Sequence, residues 1–135
     1  MLSQNNIWNC TLYGQPITKK NSQRIVINPK TKRSMILPSA QYKDYEQKAG
    51  VQINPPDKPI EQAVNVRCVY YMATKRACDL TNLMEATHDI LVKHKVLADD
   101  NSRIIFSVDG SRVSYDKENP RTEIFIEEVH SDEQR

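Results

Sequence analysis

Between residues 64 and 93 the hydrophobic period of the chain changes from two to about 3.6, and no all-α or all-β fold accommodates both. From Val64 to Met72 every second residue (Val64, Val66, Cys68, Tyr70, Met72) is apolar or aromatic, while Asn65, Arg67 and Tyr71 fall on the other side. That is the pattern of a strand with one face in a core. From Leu80 to Lys93 the apolar residues Leu80, Leu83, Met84, Ile90 and Leu91 form a helical stripe. Thr81, Glu85, His88, Asp89 and Val92 fall on or near the opposite side.

The flanks extend this strand–helix unit into an α+β layout. Ile7 to Tyr13 alternates, with Trp8, Cys10 and Leu12 on one side, and Gly14 and Pro16 end it. Lys19-Lys20-Asn21-Ser22 reads as a basic loop. Arg24–Asn28 and Arg33–Leu37, around a Pro29-Lys30-Thr31-Lys32 turn, read as a hairpin with a basic tip. Ser39 is a candidate N-cap for a helix with Tyr42, Tyr45 and Ala49 on one face, and Gly50 is its expected stop. Pro55, Pro56 and Pro59 make residues 53–59 a stiff linker. Arg103–Val108, interrupted at Asp109-Gly110 and resumed through Arg112–Tyr115, reads as one strand, and Arg121–Val129 as the last. The expected order is βββαβαββ, with a mixed sheet and two helices.

With 135 residues, the chain supports one domain, expected over 1–129, and an acidic, disordered tail at 130–135. No run approaches the ~18 apolar residues that a membrane helix requires, and no secretory signal is visible. Cys10, Cys68 and Cys78 lack metal-knuckle spacing, so free thiols in a reducing cytoplasm are expected. The formal charge of +2 hides an asymmetry: residues 1–43 hold seven Lys or Arg and no acid, whereas the last nine hold four acids and one Arg. Such a basic first third suits a polyanion, and a solvated basic face accounts for it equally well.

Chemistry-bearing residues crowd the two ends of the second helix. Lys75 and Arg76 precede Asp79, Thr81 and Asn82 at its start, and Asp99-Asp100-Asn101 follows its end. Asp79 sits where an N-cap belongs, and capping alone would explain it. The cations beside it, at a helix N-terminus suited to phosphate, point further. Adjacent carboxylates at 99 and 100 repel each other unless something cationic offsets them. Carboxylates for a divalent metal, beside cations for phosphate, make a phosphodiester-cleaving site. The histidines add little, since His88 and His94 do not share a helix face and His130 lies in the tail.

Asp79-Leu80-Thr81-Asn82, with Lys75-Arg76 ahead and Asp99-Asp100 about twenty residues on, resembles the RusA family of Holliday junction resolvases. The likeness also takes in Lys20-Asn21-Ser22, the helix start at Ser39 and the closing strands. It implies a RusA-like, intertwined homodimer that nicks four-way DNA junctions symmetrically with Mg²⁺, for which Mn²⁺ can substitute. Asp79 and Asp100 are the primary expected ligands, then Glu85, with Asp99 a further catalytic candidate. Lys19, Lys20, Lys32, Arg33, Lys75, Arg76 and Asn82 are the expected DNA contacts. Two departures stand out: Thr81 occupies the place of the family's second aspartate, and Glu85 a place that often carries lysine. Positions 81 and 85 are neighbours on a helix, so Glu85 is expected to restore the missing carboxylate.

One geometrical question stays open. A helix from Leu80 to Lys93 is ~21 Å long, and the seven residues after it span at most ~23 Å. Asp79 and Asp100 therefore meet either by a tight return within one subunit or across two subunits. A nuclease for other branched DNA, a catalytically dead DNA-binding module and an unrelated α+β interaction protein are the competing readings.

Overall fold

The structure is a computed structural model that describes residues 6–19 and 23–129, with the backbone alone for 23–26 and 35–38. Lys20, Asn21, Ser22, His130 and the acidic tail lie outside the described residues. The elements are β1 (Asn6–Tyr13), β2 (Gln23–Ile27), β3 (Ser34–Pro38), α1 (Ala40–Gln52), β4 (Val64–Met72), α2 (Leu80–Lys93), β5 (Ile105–Ser107), β6 (Arg112–Tyr115) and β7 (Arg121–Glu128). This is the expected α+β fold with two helices and a mixed sheet.

Its central strand is β4. β7 pairs with it antiparallel and carries β1 on its far side, also antiparallel. On the other edge β5 and β6 follow one another along β4, both parallel to it: β5 beside Val64 and Asn65, β6 beside Val69 to Met72. The expected single interrupted strand is thus two. Arg103 is not in a strand at all, because Asn101 turns the chain there: its carbonyl accepts from the Ile104 N–H and its side chain from the Arg103 N–H. The break at Asp109-Gly110 has a positive φ of 85° at Gly110. Nearly buried Asn65 holds the bulge in register by donating to the Asp109 carbonyl and accepting from the Asp109 N–H and the Ser107 hydroxyl.

The strand β4 face read from the alternation is the core face. Val64, Val66 and Cys68 are fully buried against Leu12, Ile124, Ile126, Tyr42, Leu83, Ile90 and Leu91. Burying each large aliphatic side chain stabilises the fold by roughly 1.5–3 kcal/mol. Tyr70 and Thr87 place a 2.8 Å hydroxyl–hydroxyl hydrogen bond inside this core. On the other sheet face, guanidinium groups lie on aromatic rings: Arg67 on Phe125 at 4.1 Å and Arg121 on Tyr71 at 3.8 Å.

Helix α1 does begin after Ser39, whose hydroxyl accepts from the Tyr42 N–H, but it does not stop at Gly50. It runs to Gln52, because Gly50 serves packing: a Cβ there would collide with the His94 ring. The side chain of Gln52 then clamps the backbone N–H and carbonyl of Tyr13. The β2–β3 hairpin forms a separate two-stranded sheet, as expected from its turn. Asn28 organises that turn, its side chain accepting from the N–H groups of Lys30 and Thr31. Lys32 there adopts a φ of 61°. No described helix is long and apolar enough to cross a membrane.

Candidate active site

Helix α2 runs back along the sheet from the end of β4 to its start, and this return fixes where each acid sits. The N-cap of α2 is Asp79: its Oδ1 accepts from the Asn82 N–H at 3.2 Å and from the Thr81 hydroxyl at 2.6 Å. Thr81 therefore does not simply lack a carboxylate; it donates to the neighbouring one. The segment before Asp79 is exposed, with Lys75 reaching over the Tyr115 ring at 5.2 Å and the Arg76 N–H bonded to Thr74 Oγ1. Asn82 contributes its backbone N–H to the cap.

Asp99 and Asp100 belong to the other end of α2. Leu97 bridges to Ile60, and the Ala98 N–H donates to the Ile60 carbonyl, just ahead of β4. Asp99 then folds onto its own loop, accepting from the Asp100 N–H at 2.7 Å and from the Asn101 side chain at 3.0 Å. These bonds, the backbone one foremost, hold its carboxyl below the ordinary range.

Between the two ends lies a polar stripe that the sequence only partly disclosed. Glu85 is exposed one turn beyond Thr81. Burial pushes the Tyr42 phenol well above its ordinary range, and the negative charges of Glu46, Asp89 and Glu85 push the same way. The ring of Tyr42 is 2% exposed and its hydroxyl has no hydrogen-bond partner among the described residues. Next along the helix, burial lowers the His88 pKa, while Asp100 and Asp89 oppose the shift.

Asp89, read as lying on or near the side of α2 opposite its apolar stripe, pairs with Lys19 at 3.5 Å. Lys19, expected as a DNA contact, so lies against α2. Lys93 pairs with Glu46. Lys32 and Arg33 are exposed at the tip of the hairpin. No local pattern links Lys19 to Asp89, since seventy residues separate them. Gln15 escaped the sequence reading too; its side chain accepts from the Ala73 N–H at 2.9 Å and ties the end of β1 to the start of the Lys75–Asp79 segment.

Among the described residues of one chain, no three His, Cys, Asp or Glu side chains gather closely enough to hold a metal ion. The exposed carboxylates of Asp79, Glu85 and Asp100 are hard oxygen donors of the kind magnesium takes. One or two of them, with waters and a substrate phosphate, satisfy that ion. The donor chemistry fits. A comparison with curated proteins finds no match. The family model for the endodeoxyribonuclease RusA matches residues 14–127, a span that begins just after β1 and takes in both helices and all of the stripe described above. The chain belongs to the RusA endodeoxyribonuclease family, a family of nucleases that act on branched DNA junctions.

Proposed function

We propose that the protein is a magnesium-dependent endonuclease that resolves four-way DNA junctions by paired, symmetric nicks. The observation that carries this reading is the Asp79 carboxylate, presented in the open at the N-terminus of α2 with Lys75 and Arg76 immediately before it. Phosphate is favoured at such a terminus by the unpaired N–H groups and by the helix dipole. Asp79, Glu85 and Asp100 would hold Mg²⁺ or Mn²⁺, with Asp99 orienting the loop that carries Asp100. When bound, the ion supplies Lewis-acid activation of the scissile phosphate and of a water.

The protein's own residues do the remaining work. Thr81 fixes which Asp79 oxygen is engaged within the cap. Lys75, Arg76, Lys19, Lys20 and Asn82 neutralise or bind backbone phosphates beside the site, and Lys32 and Arg33 do so along the hairpin. A junction has two-fold symmetry, so two equivalent nicks call for a C2 homodimer. In that assembly Asp100 of one subunit completes the site that begins with Asp79 of the other, which meets the separation of the two acids along α2. Backbone contacts of this kind make binding steeply salt-dependent.

The test is incubation of a mobile four-way junction with the protein, with and without Mg²⁺, beside Asp79→Asn and Glu85→Gln. Paired nicks that need the metal, and vanish in both variants while junction binding persists, are the expected result. Full activity of Glu85→Gln removes Glu85 from the ligand set. Flap and linear duplex substrates nicked as fast as the junction would redirect the proposal to other branched DNA. That no three acids gather among the described residues of one chain favours a second reading, a DNA-binding module without catalysis, for which no Mg²⁺ or Mn²⁺ would bind and no strand would be cut.

A further inference from the structure

The polar face of α2 poses a charge problem for any DNA strand laid along it. Glu85 and Asp89 lie one turn apart on it, and between Leu80 and Val92 the helix has no Lys or Arg of its own. Its single basic residue, Lys93, is paired with Glu46. A phosphate near carboxylates is favoured when a cation is brought beside them. Lys19 brings one: its Nζ lies 3.5 Å from Asp89 Oδ2, and the two side chains are 41% and 35% exposed. Asp89 is four residues after Glu85 and so one turn along the same face.

We propose that Asp89 is a positioning residue that holds Lys19 on the Glu85 face of α2, where the ammonium receives a phosphate of the bound DNA strand. The inference rests on the nuclease reading only for the identity of the strand. An ordinary exposed ion pair contributes little and would leave DNA affinity indifferent to Asp89, or improved by its loss. Under the proposal the carboxylate, although negative, is needed for DNA to benefit from Lys19. The two readings differ in sign.

A double-mutant cycle separates them. Four-way junction affinity is measured by fluorescence anisotropy, without divalent metal, for the wild type, Lys19→Ala, Asp89→Asn and the double variant, with Lys19→Arg as the charge-keeping control. Lys19→Ala is expected to weaken binding about five-fold when Asp89 is present and less than about two-fold in the Asp89→Asn background, within the coupling usual for contacting groups. Asp89→Asn alone weakens binding, and Lys19→Arg binds as the wild type. Equal losses from Lys19→Ala in both backgrounds, no loss in either, or tighter binding by Asp89→Asn overturns the proposal. Nicking with Mg²⁺ is scored separately: a protein that binds junctions and never cuts them sinks the nuclease reading and leaves the cycle to judge Lys19 and Asp89. No junction binding by the wild type sinks both.

Discussion

Thr81 Oγ1 donates to Asp79 Oδ1 across 2.6 Å, and the same oxygen accepts from the Asn82 N–H. A residue that departs from the family's aspartate pattern has thereby become a partner of the aspartate that remains. Thr81→Val keeps the side-chain size and removes the donor. It is expected to leave the backbone cap in place, cost about 0.5–1.5 kcal/mol or less in urea unfolding, and lower junction nicking. Thr81→Ser, which restores the hydroxyl, recovers that nicking; a Thr81→Val protein as active as the wild type would remove Thr81 from the site.

Asp79 has a structural task and a proposed chemical one, and two substitutions separate them. Asn caps helices as well as Asp does, whereas Ala does not. Asp79→Asn should unfold in urea with the wild type and fail to nick. Asp79→Ala should also lose about 1 kcal/mol of stability. Identical unfolding of Asp79→Ala and the wild type would show that the cap contributes nothing.

In the core, Tyr70 and Thr87 satisfy each other across 2.8 Å, and the Thr87 hydroxyl also donates to the Leu83 carbonyl. Thr87→Val is nearly isosteric but strands the buried Tyr70 hydroxyl. The expected loss is about 1–3 kcal/mol. A Tyr70→Phe/Thr87→Val double variant should lose less than the sum of the singles, and chemical denaturation of all four proteins checks this.

Acid should weaken the turn between β6 and β7. Arg121 donates to Asp116 at 2.8 Å and to Glu123 at 2.9 Å, and the bond from Arg121 is the main reason that the Asp116 carboxyl titrates below its ordinary value of 3.8. The folded state therefore binds fewer protons here than the unfolded chain. The resulting stability is complete above the ordinary value and is lost as the pH falls through the lowered one. Asp116→Asn should be less stable than the wild type at pH 7, with the gap closing as the pH falls below the ordinary value of 3.8, as followed by urea unfolding at each pH.

What the sequence determined by itself was whatever local pattern encodes. The alternation from Val64 to Met72 and the stripe from Leu80 to Lys93 mark β4 and α2 to the residue, because periodicity records which side of an element leaves water. The caps Ser39 and Asp79 were legible for the same local reason, as was the motif around Asp79. Three features were settled only by tertiary structure. Gly50 stays helical because the His94 ring, from another element, needs the space that a side chain would fill. The strand expected at Arg103 gives way to a turn, since Asn101 satisfies the backbone there and β4 offers pairing only from Ile105 on. Lys19 meets Asp89 because the fold returns the end of β1 to α2, and an ion pair between distant segments leaves no trace in the composition of either. Contacts within a few residues are written into spacing; contacts between elements follow from packing, which the whole chain decides together.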